Sequence, residues 1–451
     1  MRGEAQSIDL KKNVIVSVFS KISLLVFYLL GFFVLIAKEL KPKGRILTLF
    51  NVITFPIIIL GISLVLKHIF EGLSAGSNVS QEFPWGIFIG FNVMVGVPFA
   101  GGAYVLAFVV YILNSEKYHP IIRPTILNGF LAYVFYASAI FLDLGRKWNI
   151  LNPIIGNEFG VNSVLFLVAW HFLLYMIAQL IEFSPTIAEW LELKKTKKIL
   201  SSMTLGACVF GIALSTLHQS GLGALFMMAK GKLHPLWYSE FIPVLFFISS
   251  IFAGLSVVIV EGTISKKVFR HRMSEEYLRN YDDIVTGLGR GAAVTLFVYF
   301  FLKLLIFIHG KSWVYINSPM GFWYLFEVIG LVLVPCLMFY YGQREKNINL
   351  IRAAACVTML GVIINRLNYS MIAFKWYLPL SERYIPTWQE VVITLTIIFT
   401  QLWIFRWVVN RMPVYGEAKE WEKEEAKEAI LLGELGFTMA DGGKPYMKKE
   451  V

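Results

Sequence analysis

The sequence predicts an all-α membrane protein whose chain crosses the bilayer about eleven times. Of its 451 residues, 57% are apolar, 15% are aromatic and only 16% are charged. The mean hydropathy is +0.64, and long apolar runs alternate with short polar loops along most of the chain. Because a hydrocarbon core about 30 Å thick requires about 20 apolar helical residues per crossing, each of these runs is long enough to span it.

The composition excludes several classes of protein. Soluble proteins carry about 25% charged residues, so a soluble enzyme, a disordered chain and a disulfide scaffold are all excluded. Cys208, Cys336 and Cys356 lie inside apolar runs at spacings that suit neither a metal site nor a bridge, and are interpreted as packed side chains. The net charge of +11 is interpreted as a topology signal, with no role in binding nucleic acid.

The predicted spans are residues 14–37, 46–70, 85–113, 121–142, 161–183, 200–225, 239–262, 289–309, 321–341, 350–373 and 389–409. The first has no small-residue cleavage site behind it, which favours a retained helix over a signal peptide. The predicted organisation is an extra N-terminal helix with a basic loop (1–45), a first membrane bundle with the candidate site (46–262), a second bundle (263–410) and a charged cytoplasmic tail (411–451).

The distribution of basic residues predicts the orientation of the spans. Between the first and last spans, the loops on one side carry 19 Lys and Arg residues and those on the other side carry 7. Basic loops stay in the cytoplasm, so the N-terminus is predicted to face outward and the C-terminus to be cytoplasmic.

Polar side chains collect at the predicted outer ends of five successive spans. These residues are His68, Trp85, Gly86, Asn92, Asp143, Arg146, Asn162, His218 and Gln219. Trp85 also fits an interfacial anchor, and Asp143 with Arg146 also fits a surface ion pair. His218 is harder to explain by packing alone, because a histidine inside a membrane needs a polar partner.

A second set of ionisable side chains is predicted to form steps of a proton path. The set is His171, Glu182, Glu261, Lys303, Glu327 and Arg366. Glu327 is placed to neutralise Lys303 or Arg366, which is equally compatible with a structural network. Glu182 and Glu261 lie near the inner span ends, where the alternative is that they simply reach water.

Several widely spaced motifs form a recognisable set. They are Phe83-Pro84-Trp85-Gly86, Gly101-Gly102, His119-Pro120, Arg123-Pro124, Asp143-x-Gly-Arg146-x-Trp148-Asn149, Val161-Asn162-Ser163-Val164-Leu165-Phe166, His218-Gln219-Ser220-x-x-Gly223, His234-Pro235-Leu236-Trp237, Glu261-Gly262, Arg366-Leu367-x-Tyr369-Ser370-x-x-Ala373-Phe374 and Pro386-Thr387-Trp388-x-Glu390. In this order, and over about residues 46 to 412, the set strongly resembles the HybB-like integral membrane subunits of the NrfD/polysulfide reductase (PsrC) family.

The resemblance implies a haem-free, metal-free membrane subunit of a respiratory quinone oxidoreductase complex. Such subunits lie in the bacterial or archaeal cytoplasmic membrane and exchange electrons with menaquinone or ubiquinone during anaerobic respiration. Their expected partner is a periplasmic ferredoxin-like iron–sulfur subunit, joined to a hydrogenase, a molybdoenzyme or a multihaem cytochrome. Carried over by motif, the quinone-binding candidates are Trp85, Gly86, Asp143, Arg146, His218 and Gln219. The 14–37 span has no counterpart in this pattern.

The chemistry of a quinone agrees with these candidates. Its ring needs an apolar slot, and its carbonyls need hydrogen-bond donors that exchange protons near neutral pH. The hypothesis is that His218 binds one carbonyl, Asp143 shuttles a proton and Trp85 lines the slot. Proton translocation stays open: Glu182 and Glu261 matter only if protons come from the cytoplasm.

Two other classes of function remain open on the sequence alone. A b-type cytochrome needs facing pairs of histidines, and His171 is predicted near mid-membrane while His68, His218 and His309 lie near the outer face. A secondary transporter needs broken helices in two related halves, and the interruptions at residues 56 and 98 have no match later in the chain.

Overall fold

The computed structural model describes residues 34, 37–43, 46–155, 160, 162–415, 437–439 and 445–447. It divides into two units, residues 1–55 and 56–451. In the first unit, Glu39 Oε2 lies 2.8 Å from Lys43 Nζ. The backbone N–H of Asn51 donates to Thr48 Oγ1 at 3.2 Å, which satisfies one of the free amides at the start of the first long helix.

Ten helices among the described residues are long and apolar enough to span a membrane. They are α1 (Leu49–Glu71), α2 (Phe88–Ile112), α3 (Glu116–Asp143), α4 (Val164–Trp190), α5 (Lys194–Met227), α6 (Ile242–Val268), α7 (Tyr277–His309), α8 (Pro319–Arg344), α9 (Ile348–Ile372) and α10 (Trp388–Val409). They confirm the all-α, multi-pass fold class and the ten predicted spans from 46–70 onward. Nearly all of the predicted span 14–37 and most of the tail 411–451 lie outside the described residues.

The shorter elements lie between and after these helices. They are the helical segments Leu73–Ala75, Lys147–Leu151, Asn152–Ile155, Arg270–Arg272, Ser312–Tyr315 and Leu380–Glu382. In addition, β1 (Phe437–Met439) pairs antiparallel with β2 (Pro445–Met447).

Side-chain caps fix where several helices begin. The side chain of Ser163 accepts a backbone N–H at the start of α4, and that of Asn347 does so at the start of α9. At the start of α10, Thr387 and Glu390 form a capping box, in which each side chain bonds the backbone N–H of the other. These bonds satisfy amides that have no partner within the helix.

Successive helices run in opposite directions, so the loops lie at two ends of the molecule. We call the end carrying loops 72–87, 144–163, 228–241, 310–318 and 373–387 the Trp85 face. We call the opposite end, with loops 113–115, 191–193, 269–276, 345–347 and 410–415, the Glu189 face. The Trp85 face is the end that the distribution of charge predicts to be outward.

Three loops of the Trp85 face are bonded to one another. The backbone N–H of His234 donates to the carbonyl of Ala373 at 2.9 Å, and that of Lys375 donates to the carbonyl of Lys232 at 2.6 Å. The Lys375 ammonium also pairs with the Glu82 carboxylate. Loops far apart in sequence therefore form one connected surface above the helices.

Three of the helices contain π-helical turns, at Phe88–Val93 and Phe108–Ile112 in α2, Phe326–Leu333 in α8 and Asn368–Ile372 in α9. The extra residue per turn is visible where the Met94 N–H donates to the carbonyl of Ile89, five residues back. These turns place Asn92, Glu327 and Asn368 as buried polar side chains inside the protein. Such turns are frequent at functional sites, and the apolar pattern alone does not predict them.

Close backbone contact joins α2 to α6. A Cβ atom at Gly254 would lie 2.2 Å from the backbone nitrogen of Gly102, so any larger residue at either position would force the helices apart. Small residues allow membrane helices to approach in this way. The Gly101-Gly102 pair in the sequence therefore has a packing role.

The largest hydrophobic cluster extends across both predicted bundles. It contains Ile126 of α3 and Ile259 of α6 together with Leu288 of α7 and Ile351 of α9. The division of the membrane part near residue 262 stays a prediction.

Candidate functional site

His218 is buried between α5, which carries it, and aromatic rings of α3 and α4. Its side chain on α5 is 1% exposed. The His218 ring centroid lies 5.8 Å from that of Tyr133 on α3, with the rings nearly perpendicular, and 5.4 Å from that of Phe172 on α4. Neither ring nitrogen has a hydrogen-bond partner among the described residues. Because a buried polar group without a partner is costly, these nitrogens need an explanation.

The neighbouring polar groups are also incompletely bonded. Gln219 donates from Nε2 to the carbonyl of Val97 at 3.0 Å, which ties α5 to α2. Its Oε1 atom and the hydroxyl of Tyr133 have no partner in the described part of the chain. The vicinity of His218 therefore offers both acceptors and donors for a small polar group.

A stripe of polar side chains runs from this site along one face of α4. Its members, spaced three or four residues apart, are His171, Tyr175, Gln179, Glu182, Thr186 and Glu189. Gln179 donates to the Tyr175 hydroxyl at 3.2 Å, and the Tyr175 ring lies 4.8 Å from the Tyr133 ring. At a helical rise of 1.5 Å per residue the stripe covers roughly 27 Å, close to the thickness of the hydrocarbon core.

The stripe ends in an ion cluster at the Glu189 face. Glu189 is fully buried, and its Oε2 atom lies 3.1 Å from Arg123 Nη2 and 3.0 Å from Lys197 Nζ. Glu182 is buried one or two turns earlier, where a Cβ at Gly211 would lie 3.3 Å from its Oε1 atom. The sequence alone predicts neither contact.

His171 lies toward the Trp85 end of α4. Helix α4 extends to Trp190, so His171 lies only about 10 Å, seven residues, from the start of the helix at Val164. His218 lies at a similar depth from the Trp85 face, and the two imidazoles are near enough to interact electrostatically. The predicted apolar run ends at residue 183 whereas the helix continues to Trp190, and the position of His171 near mid-membrane stays a prediction.

Asp143 ends α3 at the Trp85 face, away from the His218 rings. Its Oδ1 atom is buried without a hydrogen-bond partner among the described residues. The charged groups that act on it are Glu390 and Lys147. Burial lowers the pKa of Lys147, and the Asp143 carboxylate opposes that shift. Arg146 is exposed, and no described ion pair joins it to Asp143.

Trp85 and Gly86 form a third location. The half-buried Trp85 ring lies 5.1 Å from the Phe226 ring, in an edge-to-face arrangement, and 6.4 Å from the Phe374 ring. A Cβ at Gly86 would lie 2.8 Å from the Tyr384 hydroxyl oxygen. Gly86 is therefore explained by close packing against a side chain.

The six residues predicted to bind quinone thus lie at three locations near the Trp85 face: His218 with Gln219, Asp143 near Glu390, and Trp85 with Gly86, with Arg146 exposed beyond them. One hydrophobic cluster connects the first and third locations, since it contains Tyr133, Phe172 and Phe226 and packs against Trp85. An aromatic layer therefore extends from Trp85 at the face to the His218 rings.

Glu327 is the centre of a buried network in the second predicted bundle. The side chain is 1% exposed. Its Oε2 atom accepts from the Trp237 indole N–H at 2.7 Å and from Asn368, and its Oε1 atom accepts from Asn365 at 2.6 Å. All three side chains that donate these hydrogen bonds to Glu327 are neutral. The carboxylate is therefore bonded without a direct ion pair to either predicted cation.

The two predicted cations are held by other groups. Arg366 donates to Asn365 Oδ1 and to Ser249 Oγ, each at 2.6 Å, and its guanidinium lies 3.7 Å from the centroid of the Phe246 ring. Lys303 is 2% exposed. Its ammonium lies 5.5 to 5.9 Å from the ring centroids of three tyrosines, Tyr299, Tyr324 and Tyr369. Cation–π contacts thus hold both cations beside the Glu327 network.

Glu261 is covered by the segment that follows α10. Its Oε1 atom accepts from Ser265 Oγ at 2.7 Å and from the Tyr415 hydroxyl at 3.1 Å. Tyr415 in turn stacks on Phe269, with ring centroids 6.5 Å apart. Glu261 is nevertheless partly exposed, so the alternative that it reaches water at the Glu189 face stays open.

Sequence reasoning missed several residues of these sites. Tyr133 and Tyr175 lie in apolar runs where aromatic side chains are common, and no local signal marks them. Glu390 was named only as part of a motif, although Thr387-x-x-Glu390 before an apolar run is a capping-box signature. Among the described residues, no group of three His, Cys, Asp or Glu side chains is arranged to hold a metal ion.

Comparison with known proteins gives a match over the region that contains these sites. The model of the family described as "Polysulphide reductase, NrfD" matches residues 76–374. This range includes His218, the α4 stripe and the Glu327 network, and it stops before α10.

Individual relatives extend the match over most of the chain. A protein of Nitratidesulfovibrio vulgaris is 39% identical over 385 residues, covering 85% of this chain and 99% of its own. The "probable Ni/Fe-hydrogenase 2 b-type cytochrome subunit" of Escherichia coli is 29% identical, covering 84% and 95%. The "menaquinone reductase, integral membrane subunit" of Nitratidesulfovibrio vulgaris is 27% identical, covering 71% and 80%.

Proposed function

The chain belongs to the polysulphide reductase NrfD family, and we propose that it is the haem-free quinone-interacting membrane subunit of a respiratory oxidoreductase complex. In this role it carries electrons between a periplasmic iron–sulfur subunit and menaquinone or ubiquinone. A relative named as the membrane subunit of a menaquinone reductase supports the choice of substrate.

The observation that carries the proposal is the environment of His218. Two imidazole nitrogens, the Tyr133 hydroxyl and the Gln219 carbonyl oxygen are buried without partners among the described residues. The rings of Tyr133 and Phe172 pack against the His218 imidazole. A quinone has a planar apolar ring and two carbonyl acceptors, so it matches both the rings and the donors.

The proton chemistry follows from the same residues. Quinone reduction takes up two protons with two electrons, so each carbonyl needs a group that donates and is recharged. His218 donates to one carbonyl, and Asp143 at the Trp85 face exchanges protons with water. Trp85 lines the apolar approach to the site, in contact with Phe226. For Gly86 and Arg146, two of the six motif-derived candidates, a part in quinone binding stays a prediction.

The partner and the orientation are part of the proposal. We assign the Trp85 face to the periplasmic side of a bacterial or archaeal cytoplasmic membrane, because the basic loops belong to the Glu189 face. The iron–sulfur subunit then sits on the Trp85 face, on the same side as Asp143. A hydrogenase, a molybdoenzyme or a multihaem cytochrome completes the complex.

The α4 stripe is the proposed route for protons from the Glu189 face. Its buried polar groups continue from His171 through Tyr175 and Gln179 to Glu182, without a long apolar gap. Such groups are expensive inside a membrane and are retained where they conduct protons or ions. Proton uptake along this route makes the electron transfer electrogenic.

The remaining proton-path candidates receive separate roles. Lys303, Glu327 and Arg366 lie close together in one buried polar network, which stores or relays a proton in the second bundle. Glu261 lies under Tyr415 on the Glu189 face, where it is the second candidate for proton uptake.

A b-type cytochrome is the second candidate function, favoured by the name of the Escherichia coli relative. Haem ligation needs two histidines on opposite sides of a porphyrin plane. The rings of Tyr133 and Phe172 pack directly against His218, and an inserted porphyrin would have to displace them. This packing favours the flat, smaller quinone ring.

The experiment that tests the proposal is purification of the intact complex in lipid nanodiscs, followed by a visible spectrum and extraction of bound quinone. We expect bound quinone in a near-stoichiometric amount relative to this chain. The reduced complex should show no haem α-band absorption that belongs to this chain. A haem spectrum that persists when this chain is isolated from its partners would favour the cytochrome.

A further inference from the structure

Glu390 is the most completely bonded carboxylate at the Trp85 face, and the proposed site does not use it. It lies in the first turn of α10 and is 0% exposed. Its Oε1 atom accepts from Ser77 Oγ at 2.7 Å and from the Tyr384 hydroxyl at 2.8 Å. Its Oε2 atom accepts from the backbone N–H of Thr387 at 2.8 Å. A cap alone requires only the last of these contacts.

Tyr384 links Glu390 through hydrogen bonds to the segment just before α2. The Tyr384 hydroxyl donates to Glu390 and accepts from the backbone N–H of Ile87 at 2.9 Å. Burial raises the pKa of Tyr384, so the hydroxyl keeps its proton and remains a donor. Ile87 is two residues after Trp85, so this bond fixes the backbone that carries the indole ring.

The other contacts hold the same loop from its first half. Asn78 donates from its side chain to the carbonyl of Ile385 at 2.9 Å, and Thr387 donates to the carbonyl of Gly76 at 2.7 Å. A Cβ at Gly86 would lie 3.2 Å from Glu390 Oε1 as well as 2.8 Å from the Tyr384 oxygen. Glycine at position 86 therefore allows the loop to approach both side chains.

We propose that Glu390 and Tyr384 form a clamp, the Glu390 clamp, that binds Ser77 and Ile87 and thereby positions Trp85 against Phe226 at the entrance of the quinone site. Both are positioning residues, because they act through Trp85 and do not touch the substrate. The inference rests on the proposed quinone function. It adds an anchor on α10, which lies outside the stretch matched by the family model.

The position of the Glu390 clamp supports a role in function beyond stability. Its carboxylate also acts electrostatically on Asp143, so the loop that carries Trp85 and the proposed proton-exchanging group depend on one side chain. An apolar contact would hold the loop without the cost of burying an ionised group.

The test uses the whole purified complex with the single variants Tyr384→Phe and Glu390→Gln. Two exposed residues of the same loop provide matched controls, Tyr377→Phe and Glu382→Gln. Amide hydrogen exchange of a peptide spanning residues 76–87 reports the clamp, and steady-state turnover with a short-chain menaquinone analogue gives KM and kcat. Tyr384→Phe removes only the hydroxyl, so the fold is expected to remain.

The expected result is faster exchange in the 76–87 peptide and a raised KM for the quinone in both clamp variants, with kcat nearly unchanged. Loss of one hydrogen bond of ordinary strength corresponds to about a fivefold rise in KM. The controls keep the parental exchange and KM. A residue with a purely structural role would lower the amount of active complex without moving KM.

Two outcomes would overturn the inference, and they differ from failure of the proposed function. Unchanged exchange in Tyr384→Phe would show that the clamp does not hold the loop. Faster exchange with an unchanged KM would show that the loop does not position the substrate. If the parent complex has no quinone-dependent turnover at all, the proposed function fails, whatever the exchange data show.

Discussion

His218 and Tyr133 face each other across α5 and α3 with ring centroids 5.8 Å apart, and neither the imidazole nitrogens nor the hydroxyl has a hydrogen-bond partner among the described residues. A purely structural histidine at this depth is normally bonded, because an unmet donor or acceptor costs about 1–3 kcal/mol. The polar atoms of His218 and Tyr133 are therefore available to bind a polar ligand.

Replacement of His218 by Ala is expected to lower quinone-linked electron transfer by about 100-fold or more, since a general acid at the substrate carbonyl is lost. The complex should still assemble, because the nitrogens bond no described residue. Turnover with a quinone analogue and blue-native electrophoresis measure the two effects. His309→Ala, at an exposed helix end, is the matched control. Normal turnover of His218→Ala would remove the residue from the site.

Replacement of Glu182 by Gln is expected to reduce the charge moved per electron by about tenfold, because the α4 stripe loses its carboxylate relay. The complex reconstituted in liposomes, with a potential-sensitive dye, gives this ratio directly. Glu345→Gln, an exposed carboxylate on the Glu189 face, is the control. If translocation falls in Glu261→Gln and not in Glu182→Gln, protons enter at Glu261, beneath Tyr415. If both variants translocate protons as the parent does, neither residue lies on the route of proton uptake.

Replacement of Glu327 by Ala is expected to destabilise the protein by about 3–5 kcal/mol. Trp237, Asn365 and Asn368 would each lose an acceptor, and the nearby buried cations would lose their compensating charge. The apparent Tm in detergent measures the effect. Glu382→Ala, on an exposed loop, should leave the Tm unchanged, and an equal Tm for both variants would contradict the network.

The loop residue His234 is expected to make stability depend on pH. Burial lowers its pKa from 6.5 to about 4, since its ring packs on Trp376 with centroids 4.6 Å apart. The unfolded chain binds a proton between these values and the folded chain does not, so stability is complete above pH 6.5 and falls as the pH drops toward 4. The loss amounts to about 3 kcal/mol at its limit.

Comparison of His234→Phe with the parent protein at pH 7.5 and pH 5 tests this dependence. The variant keeps an aromatic ring but does not titrate, so its Tm should fall less on acidification. His309→Phe should fall as much as the parent. Equal losses in His234→Phe and the parent would show that other groups cause the acid sensitivity.

The fold was predictable because the length of each apolar run between charged loops matches the thickness of the hydrocarbon core. The polar ends of the helices were not predicted, since the helix that contains α7 begins at Glu275, nearly four turns before its predicted span at residue 289. These additional helical turns form through the helix propensity of residues outside the apolar run, so the hydropathy pattern does not predict them.

The sites were only partly predictable from the sequence. The sequence identifies the ionisable residues inside the apolar runs, but it does not identify the side chains that contact them. His218, Glu327 and Arg366 were identified as unusual inside a membrane. Their contacts with Tyr133 and Trp237 join residues far apart in sequence, and π-helical turns change which face Asn368 presents. The sequence suggested Arg146 as the ionic neighbour of Asp143, whereas in the structure Lys147 acts on Asp143 and Arg146 is exposed.

The most direct test of the quinone site is photoaffinity labelling of the intact complex with an azido-menaquinone, followed by mapping of the labelled peptides. We expect labelling of peptides that contain Tyr133, Phe172 or His218, competed by unlabelled menaquinone and lost in His218→Ala. Competed labelling confined to other helices, or retained in full in that variant, would contradict a quinone site at His218.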